Sequence, residues 1–122
     1  MTLAQHLAVL DLLRARAFPQ EGYHLAELAV GGPSEEQAEA EREALALALA
    51  GRWGPPALVG LSSMLARHGE GEAIPRPWDL LCTSVADIQL WRVGDRWVAL
   101  GLARWGEAEF RLVACHTEVD PP

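Results

Sequence analysis

The C-terminal third of the chain, residues 86–117, constrains the fold most strongly. It consists of three short runs rich in Val, Leu, Ile, Trp and Phe, separated by Gly94-Asp95 and Gly106-Glu107. Glycine-containing pairs between apolar runs are the local signal of tight β-hairpins. The pattern therefore predicts three consecutive antiparallel strands, a β-meander. A sheet this small must cover an apolar face, so we expect the earlier helices to pack on it.

The turns also predict how the strands pair. With Gly94-Asp95 as a two-residue turn, the facing pairs are Val93/Arg96, Trp91/Val98 and Leu90/Ala99. With Gly106-Glu107 as a second turn of the same length, Arg104 faces Glu109.

One face of the middle strand carries Trp97 followed by a row of small residues, Ala99, Gly101 and Ala103. Small side chains allow close approach, so we expect a helix over this row. Neither face of the strand is plainly polar. The sheet should therefore be largely covered, or should offer an apolar surface to a partner.

Two N-terminal segments have the composition and spacing of helices. Thr2–Ala17 begins with a capping box, and its expected buried stripe is Leu3, Leu7, Leu10, Leu13 and Ala17. Ser34–Ala50 also begins with a capping box, is rich in Ala and Leu, and precedes Gly51, which suits the end of a helix. We expect its polar first half to be solvated and its apolar second half, Ala44–Ala50, to be buried.

The remaining segments are shorter and less regular. Tyr23–Val30 fits either a strand or a short helical turn, and we favour a short extended segment or an irregular crossing. Ala57–Leu61 predicts a short strand at the edge of the sheet, Ser62–Arg67 one helical turn, and Trp78–Cys82 the entry into the meander. The prediction is thus one α+β domain over residues 1–122, with an antiparallel meander of three to four strands in the C-terminal half packed against two N-terminal helices.

Composition restricts the partners that the chain can bind. The net charge is −7, and all ten basic residues are Arg, with no basic cluster, so nucleic acid is not an expected partner. The N-terminal segment lacks the basic start of a secretory signal, and no uncharged apolar run approaches about 18 residues. Cys82 and Cys115 lie far apart, and we expect them to be free. We therefore expect a cytoplasmic protein with no membrane association.

The sequence contains no recognisable catalytic or metal-binding motif. The four histidines are scattered and the cysteines form no Cys-x-x-Cys pair, so no catalytic residue, metal or cofactor is predicted. In a strand, the neighbours Cys115 and His116 point to opposite faces, which argues against a Cys–His nucleophile. A small-molecule site or an unrecognised enzyme remains the alternative, and it would use Cys82, His68, Asp79 or Cys115.

Two features favour recognition of another protein. The first is the acidic run from Glu35 to Glu43, with five Glu and one Arg, which is either a solvated helix face or a surface for a basic partner. The second is the set of five tryptophans, of which we expect Trp78 and Trp105 to be partly exposed. The candidate partner-binding residues are Glu35, Glu36, Glu39, Glu43, Trp78 and Trp105.

The layout resembles small actinobacterial proteins with a helical first half, an Arg-Trp-Gly-Pro-Pro connector (Arg52–Pro56) and a Trp-rich meander before Asp-Pro-Pro (Asp120–Pro122). In size, acidity and α+β composition the chain is also similar to immunity proteins of bacterial polymorphic toxin systems. That similarity involves no specific motif and assigns no functional residues. It implies a non-enzymatic, immunity- or antitoxin-like module that caps a partner protein through the acidic helix or the Trp-rich sheet. A third hypothesis is a structural subunit, with a homodimer formed through an open sheet edge.

Overall fold

The computed structural model of the chain describes residues 2–28, 34–105 and 109–122. Within these ranges the chain has the predicted α+β class. The elements, in chain order, are α1 (Leu3–Ala15), β1 (Tyr23–Leu28), α2 (Glu35–Trp53), β2 (Ala57–Gly60), α3 (Ser62–Gly69), α4 (Trp78–Ser84), β3 (Val85–Val93), β4 (Arg96–Trp105) and β5 (Glu109–Thr117). No helix in the described ranges has the length and apolar content that crossing a bilayer requires.

The strands form one five-stranded antiparallel sheet in the order β1-β5-β4-β3-β2. The predicted meander is confirmed as β3-β4-β5. The sheet has one further strand at each edge. The first, β1, lies in the segment for which the sequence was compatible with either a strand or a helical turn, and the second, β2, is the predicted short strand.

The first predicted turn is confirmed by the register, since Val93 pairs with Arg96, and Gly94 has the positive φ of 65° that the turn requires. The second predicted turn, Gly106-Glu107, lies outside the described residues. The predicted pairing of Arg104 with Glu109 is wrong, because Arg104 pairs with Phe110. Glu109 pairs instead with Trp105, so three residues rather than two separate the paired ends of β4 and β5.

Helices cover both faces of the sheet. Helices α1 and α2 pack on the face that carries the bulky side chains of the middle strand, through a cluster that includes Leu10, Leu45, Leu49, Val98 and Leu100. The opposite face, with the small residues of β4, is covered by α3 and α4 through a cluster that includes Met64, Trp78, Leu81, Ala99 and Ala103. The close contact at Gly101 comes from the neighbouring strand instead, because a Cβ there would lie 2.5 Å from Val85 Cγ1.

The N-terminal helices differ in detail from the expected pattern. The capping box at Thr2 is present, but α1 buries His6 with Leu10 and Leu13, whereas Leu3 is exposed. His6 Nε2 lies 3.4 Å from Glu41 Oε1 of α2, a polar contact between helices that apolar periodicity does not reveal.

Helix α2 continues beyond the predicted end at Gly51 as far as Trp53, and Gly54 (φ 82°) is the residue that caps it. Trp53 then packs edge-on against Trp91 of β3, with ring centroids 5.9 Å apart. Both glycines suit a helix end, so the tertiary contact decided between them. The second half of the helix is not wholly buried either, because Leu47 is 75% exposed.

The segment Trp78–Cys82, predicted to be the first residues of the meander, is part of helix α4. The helix begins after Pro77, where the missing N–H of proline costs nothing. Near its end, the hydroxyls of Thr83 and Ser84 donate to the carbonyl of Leu80. The apolar run was compatible with either a strand or a helix, and packing on the sheet selected the helix.

Candidate functional site

A cleft lies beside α2, where this helix stops short of the sheet edge. Helix α2 packs on β3, β4 and β5, and the edge strand β2 lies beyond it. Leu58 of β2 pairs with Gln89 of β3, so both side chains point to the α2 face of the sheet. Leu58 is nevertheless 80% exposed, because no described residue covers it there. The resulting cleft has a volume of about 430 Å³.

The wall of this cleft is organised by Arg42 of α2, whose side chain is only 9% exposed. Its Nη2 donates to Asp87 Oδ1 at 2.7 Å and to the Asp87 carbonyl oxygen at 3.3 Å, and its Nε donates to Gln89 Oε1 at 2.9 Å. These bonds hold α2 at a fixed position on β3. A buried guanidinium requires such partners, because an unpaired buried charge is strongly destabilising.

The cleft has an excess of negative charge. Glu39 and Glu43 of α2 and Asp87 of β3 line it with Arg42. Three carboxylates and one guanidinium give a formal charge of −2. Arg42 and Glu39 form only a long ion pair, since their closest nitrogen–oxygen distance of 3.9 Å is too great for a hydrogen bond, and the Glu39 oxygens stay free to accept one from another group. The carboxylates at the rim are therefore available to a cation from outside.

A second cleft of about 510 Å³ lies on the N-terminal side of Arg42 and shares Glu39, Arg42 and Asp87 with the first. Its lining includes Glu35, whose Oε2 lies 2.8 Å from Arg104 Nη2, and the polar residues of the α4 C-terminus. The Glu35 carboxylate already has a cationic partner, so the first cleft has the larger unneutralised charge.

The structure separates the candidate partner-binding residues into distinct groups. Glu39 and Glu43 line the first cleft, Glu35 and Glu39 line the second, and Glu36 is exposed on α2 without lining either. The expected exposure of Trp78 is wrong: it is the first residue of α4 and is 0% exposed, in the apolar cluster between the short helices and the sheet.

Of the two tryptophans predicted to be partly exposed, only Trp78 has a side chain that the structure describes. Trp78 Nε1 donates to the Val119 carbonyl oxygen at 3.0 Å, so even its polar group is bonded internally. A large aromatic side chain next to several prolines was buried because it fills the core under the short helices. The side chain of Trp105 lies outside the described residues.

Neither thiol has the environment of a nucleophile. Burial raises the pKa of the Cys115 thiol to about 12. Burial, followed by the nearby carboxylate of Asp79, also raises the pKa of Cys82. The thiolate is the reactive form, so both environments suppress it. His68 is exposed on α3, away from this buried setting, and the described residues hold no group of three or more His, Cys, Asp or Glu side chains arranged for a metal ion.

The buried histidine of β5, His116, is part of an aromatic cluster at the other edge of the sheet. Its ring centroid lies 4.8 Å from that of Phe18, which also stacks with His24 at 5.5 Å. Burial lowers the pKa of His116, and the charges of Arg14 and Arg96 act in the same direction, whereas a hydrogen bond with the Leu13 backbone partly opposes them. The lowered pKa favours the neutral form of the His116 imidazole, and the bond to the Leu13 backbone joins α1 to the sheet.

Sequence reasoning missed the residues that shape the first cleft, namely Leu58, Asp87 and Gln89. Arg42 is the one basic residue within the acidic run, which was a usable signal that it has an internal partner. No local pattern links it to Asp87, which lies 45 positions away.

Comparisons with protein-family models, with curated proteins and with solved structures found no match to this chain. The resemblance to immunity proteins therefore stays a prediction.

Proposed function

We propose that this protein is a non-enzymatic protein-binding module that caps a basic partner protein, in the manner of immunity and antitoxin proteins. The observation that carries the proposal is the anionic cleft between α2 and the edge strand β2, which places exposed carboxylates next to an exposed leucine. The Trp-rich sheet, the other surface considered from the sequence, has helices on both faces.

Charge supports a basic partner. The whole chain has a net charge of −7, and the cleft concentrates two unbalanced negative charges at one place. Complementary charge accelerates encounter and disfavours acidic partners. Since Arg42 is already bonded to Asp87 and Gln89, it cannot turn outward to neutralise the rim without losing those bonds.

Apolar contact supports a protein partner rather than a free cation. Leu58 is exposed at the cleft, and Leu47 is exposed four residues after Glu43, on the same side of α2. Covering an exposed leucine side chain contributes roughly 1.5–3 kcal/mol. An interface needs such contacts in addition to charge, because solvent and salt screen ion pairs at a surface.

We further propose that the protein acts in the cytoplasm, where two free, buried thiols persist without oxidation. Their raised pKa values also disfavour nucleophilic chemistry at Cys82 and Cys115.

A charge-reversal comparison tests the proposal. The double variant Glu39→Arg/Glu43→Arg changes the cleft, and its matched control, Glu21→Arg/Glu70→Arg, makes the same change of net charge at exposed sites outside both clefts. Partners retained from native lysate by the wild type are identified, purified and titrated against all three proteins. We expect a basic partner whose affinity falls about tenfold or more in the cleft variant only.

Added salt provides an independent check of the same interaction. The affinity of the wild type for that partner should fall as ionic strength rises, because the contacting charges are at the surface. A partner bound equally well by both double variants, or the absence of any stoichiometric protein partner, would contradict the proposal.

The second cleft favours a second candidate function, the binding of a small molecule. Its volume of about 510 Å³ lies in the usual range of ligand pockets, roughly 300–1,000 Å³. The hydroxyls of Thr83 and Ser84 at its edge already donate to backbone carbonyl groups, so they offer only acceptor oxygens. Thermal-shift screening with metabolites tests this function, and stabilisation that is lost in Arg104→Ala would support it.

A further inference from the structure

We infer that the open edge of β2 binds an extended, basic segment of the partner protein as a sixth, antiparallel strand. The inference rests on the proposed function, because it specifies the segment of the partner that the anionic cleft recognises. Addition of a strand supplies affinity through main-chain hydrogen bonds and specificity through alternate side chains.

The hydrogen-bonding pattern determines which backbone groups of β2 face outward. The Leu61 N–H donates to the Ala86 carbonyl oxygen at 2.9 Å, and the register of β2 against β3 continues up to this pair. In an antiparallel ladder, hydrogen-bonded and non-hydrogen-bonded pairs alternate. Leu58 and Gly60 therefore occupy the non-hydrogen-bonded positions, and their N–H and C=O groups point away from β3.

These outward groups are available for pairing. β2 is the last strand of the sheet, and no hydrogen bond among the described residues uses the backbone of Leu58 or Gly60 on the outer side. The edge thus presents two donors and two acceptors in the spacing of a strand. An open edge of this kind is a template for another chain.

The side chains beside this edge select a basic segment. A residue that pairs with Leu58 or Gly60 points its side chain to the α2 face, where the Asp87 carboxylate and the rim carboxylates lie. A Cβ at Gly60 would meet nothing within 4 Å, so there is room for a long side chain next to Asp87. Arginine or lysine at alternate positions of the incoming strand fits this arrangement.

The same charges disfavour a second copy of this chain as the occupant. Antiparallel pairing of two β2 edges would bring two clefts, each with a formal charge of −2, to the same face of a continuous sheet. Both chains also have a net charge of −7. Like charges that face each other across an interface suppress association.

The test uses a labelled nine-residue peptide that alternates Arg with Thr, measured by fluorescence anisotropy against the intact wild-type chain. In antiparallel addition, the Arg residues that point into the cleft also direct their N–H groups to β2. N-methylation of two Arg residues should weaken binding about thirtyfold, the effect of two lost hydrogen bonds. N-methylation of two Thr residues, whose N–H groups point outward, should change it less than about twofold.

A protein variant complements the peptides. Leu58→Pro removes an outward N–H and leaves the β2–β3 hydrogen bonds, which edge strands tolerate. We expect binding at least about fivefold weaker than that of Leu58→Ala, the matched control that loses the same leucine side chain but retains the outward N–H. Circular dichroism checks that both variants fold, and the N-methylated peptides make the test independent of any folding defect.

Each other outcome overturns the inference in a recognisable way. Equal binding of both methylated peptides excludes strand pairing, and the proposed function survives if Glu39→Arg/Glu43→Arg still abolishes binding. Weakening by the Thr-methylated peptide alone indicates parallel addition. A wild-type dimer that Leu58→Pro dissociates identifies a second copy as the occupant. Absence of any peptide binding overturns the inference, and partner capture then decides the proposed function separately.

Discussion

Replacement of Arg42 by methionine tests how α2 is held on the sheet. Methionine keeps the length and the packing of the side-chain stem but removes the guanidinium. The variant loses the bond to Gln89 at 2.9 Å and the two bonds to Asp87 at 2.7 and 3.3 Å. The 2.9 Å bond to Gln89 and the 2.7 Å bond to Asp87 each contribute about 1 kcal/mol to the free energy of unfolding, and the 3.3 Å bond contributes less.

Two effects reduce the total. Asp87 is 61% exposed, so water hydrates its carboxylate once the arginine is gone. The ion pair therefore contributes only as much to stability as an ion pair at the surface. Removal of a buried charge also relieves the cost of its dehydration. We therefore expect Arg42→Met to lower the free energy of unfolding by about 1–2 kcal/mol.

Two further variants should lose less stability than Arg42→Met and serve as comparisons. Lysine at position 42 reaches either Asp87 or Gln89 but not both, because it lacks the planar fork of donors, so about half of that loss is expected. Glu39→Ala removes an exposed carboxylate 3.9 Å from Arg42 and should cost less than about 0.5 kcal/mol.

The assay is urea unfolding at neutral pH, followed by tryptophan fluorescence, with the denaturant dependence compared among variants. The predicted order of destabilisation is Arg42→Met, then Arg42→Lys, then Glu39→Ala. If Arg42→Met is as stable as the wild type, the dehydration cost of the guanidinium cancels its bonds. In that case Arg42 does not hold the cleft wall, and the reasoning is refuted.

Three other predictions follow from the core. Burial lowers the pKa of His116 below 6.5, so the unfolded chain binds a proton at higher pH than the folded chain. The free energy of unfolding should therefore be at its full value above about pH 6.5 and should fall below that pH. His116→Gln should reduce the difference between the thermal unfolding temperatures measured at pH 7.5 and at pH 5.5. Gly101→Ala places a methyl group 2.5 Å from a Val85 methyl and should cost about 1–3 kcal/mol in urea unfolding, whereas Gly60→Ala, in open space, should be nearly neutral. With its pKa at about 12, the Cys115 thiol should resist a thiol-specific reagent at pH 8 until urea unfolds the protein, and rapid labelling of the native chain would contradict the buried setting.

Local chemistry explains the parts of the fold that were predictable. The Gly94 turn, the meander register that follows from it and the helix N-caps at Thr2 and Ser34 depend on residues within a few positions of each other. A turn that needs a positive φ, or an N-cap that needs a side-chain oxygen, selects its residue types wherever the chain later packs. The acidic character of α2 was also visible, because charge is a property of composition.

Tertiary structure decided the features that depend on distant contacts. The run Trp78–Cys82 became helical, and Trp78 was buried, because the sheet face beneath it had to be covered. The end of α2 was decided by packing between Trp53 and Trp91. An apolar run fits either periodicity, and only the surface on which it packs distinguishes them.

The candidate site belongs to the second category. The sequence alone determined that an acidic helix and an antiparallel meander would form, since spacing and turn residues act over short distances. Only the tertiary structure brought Arg42 to Asp87, left Leu58 uncovered beside Glu39 and turned a solvated helix face into the wall of a cleft. The reason is that burial and charge pairing are settled between elements, after each element has formed.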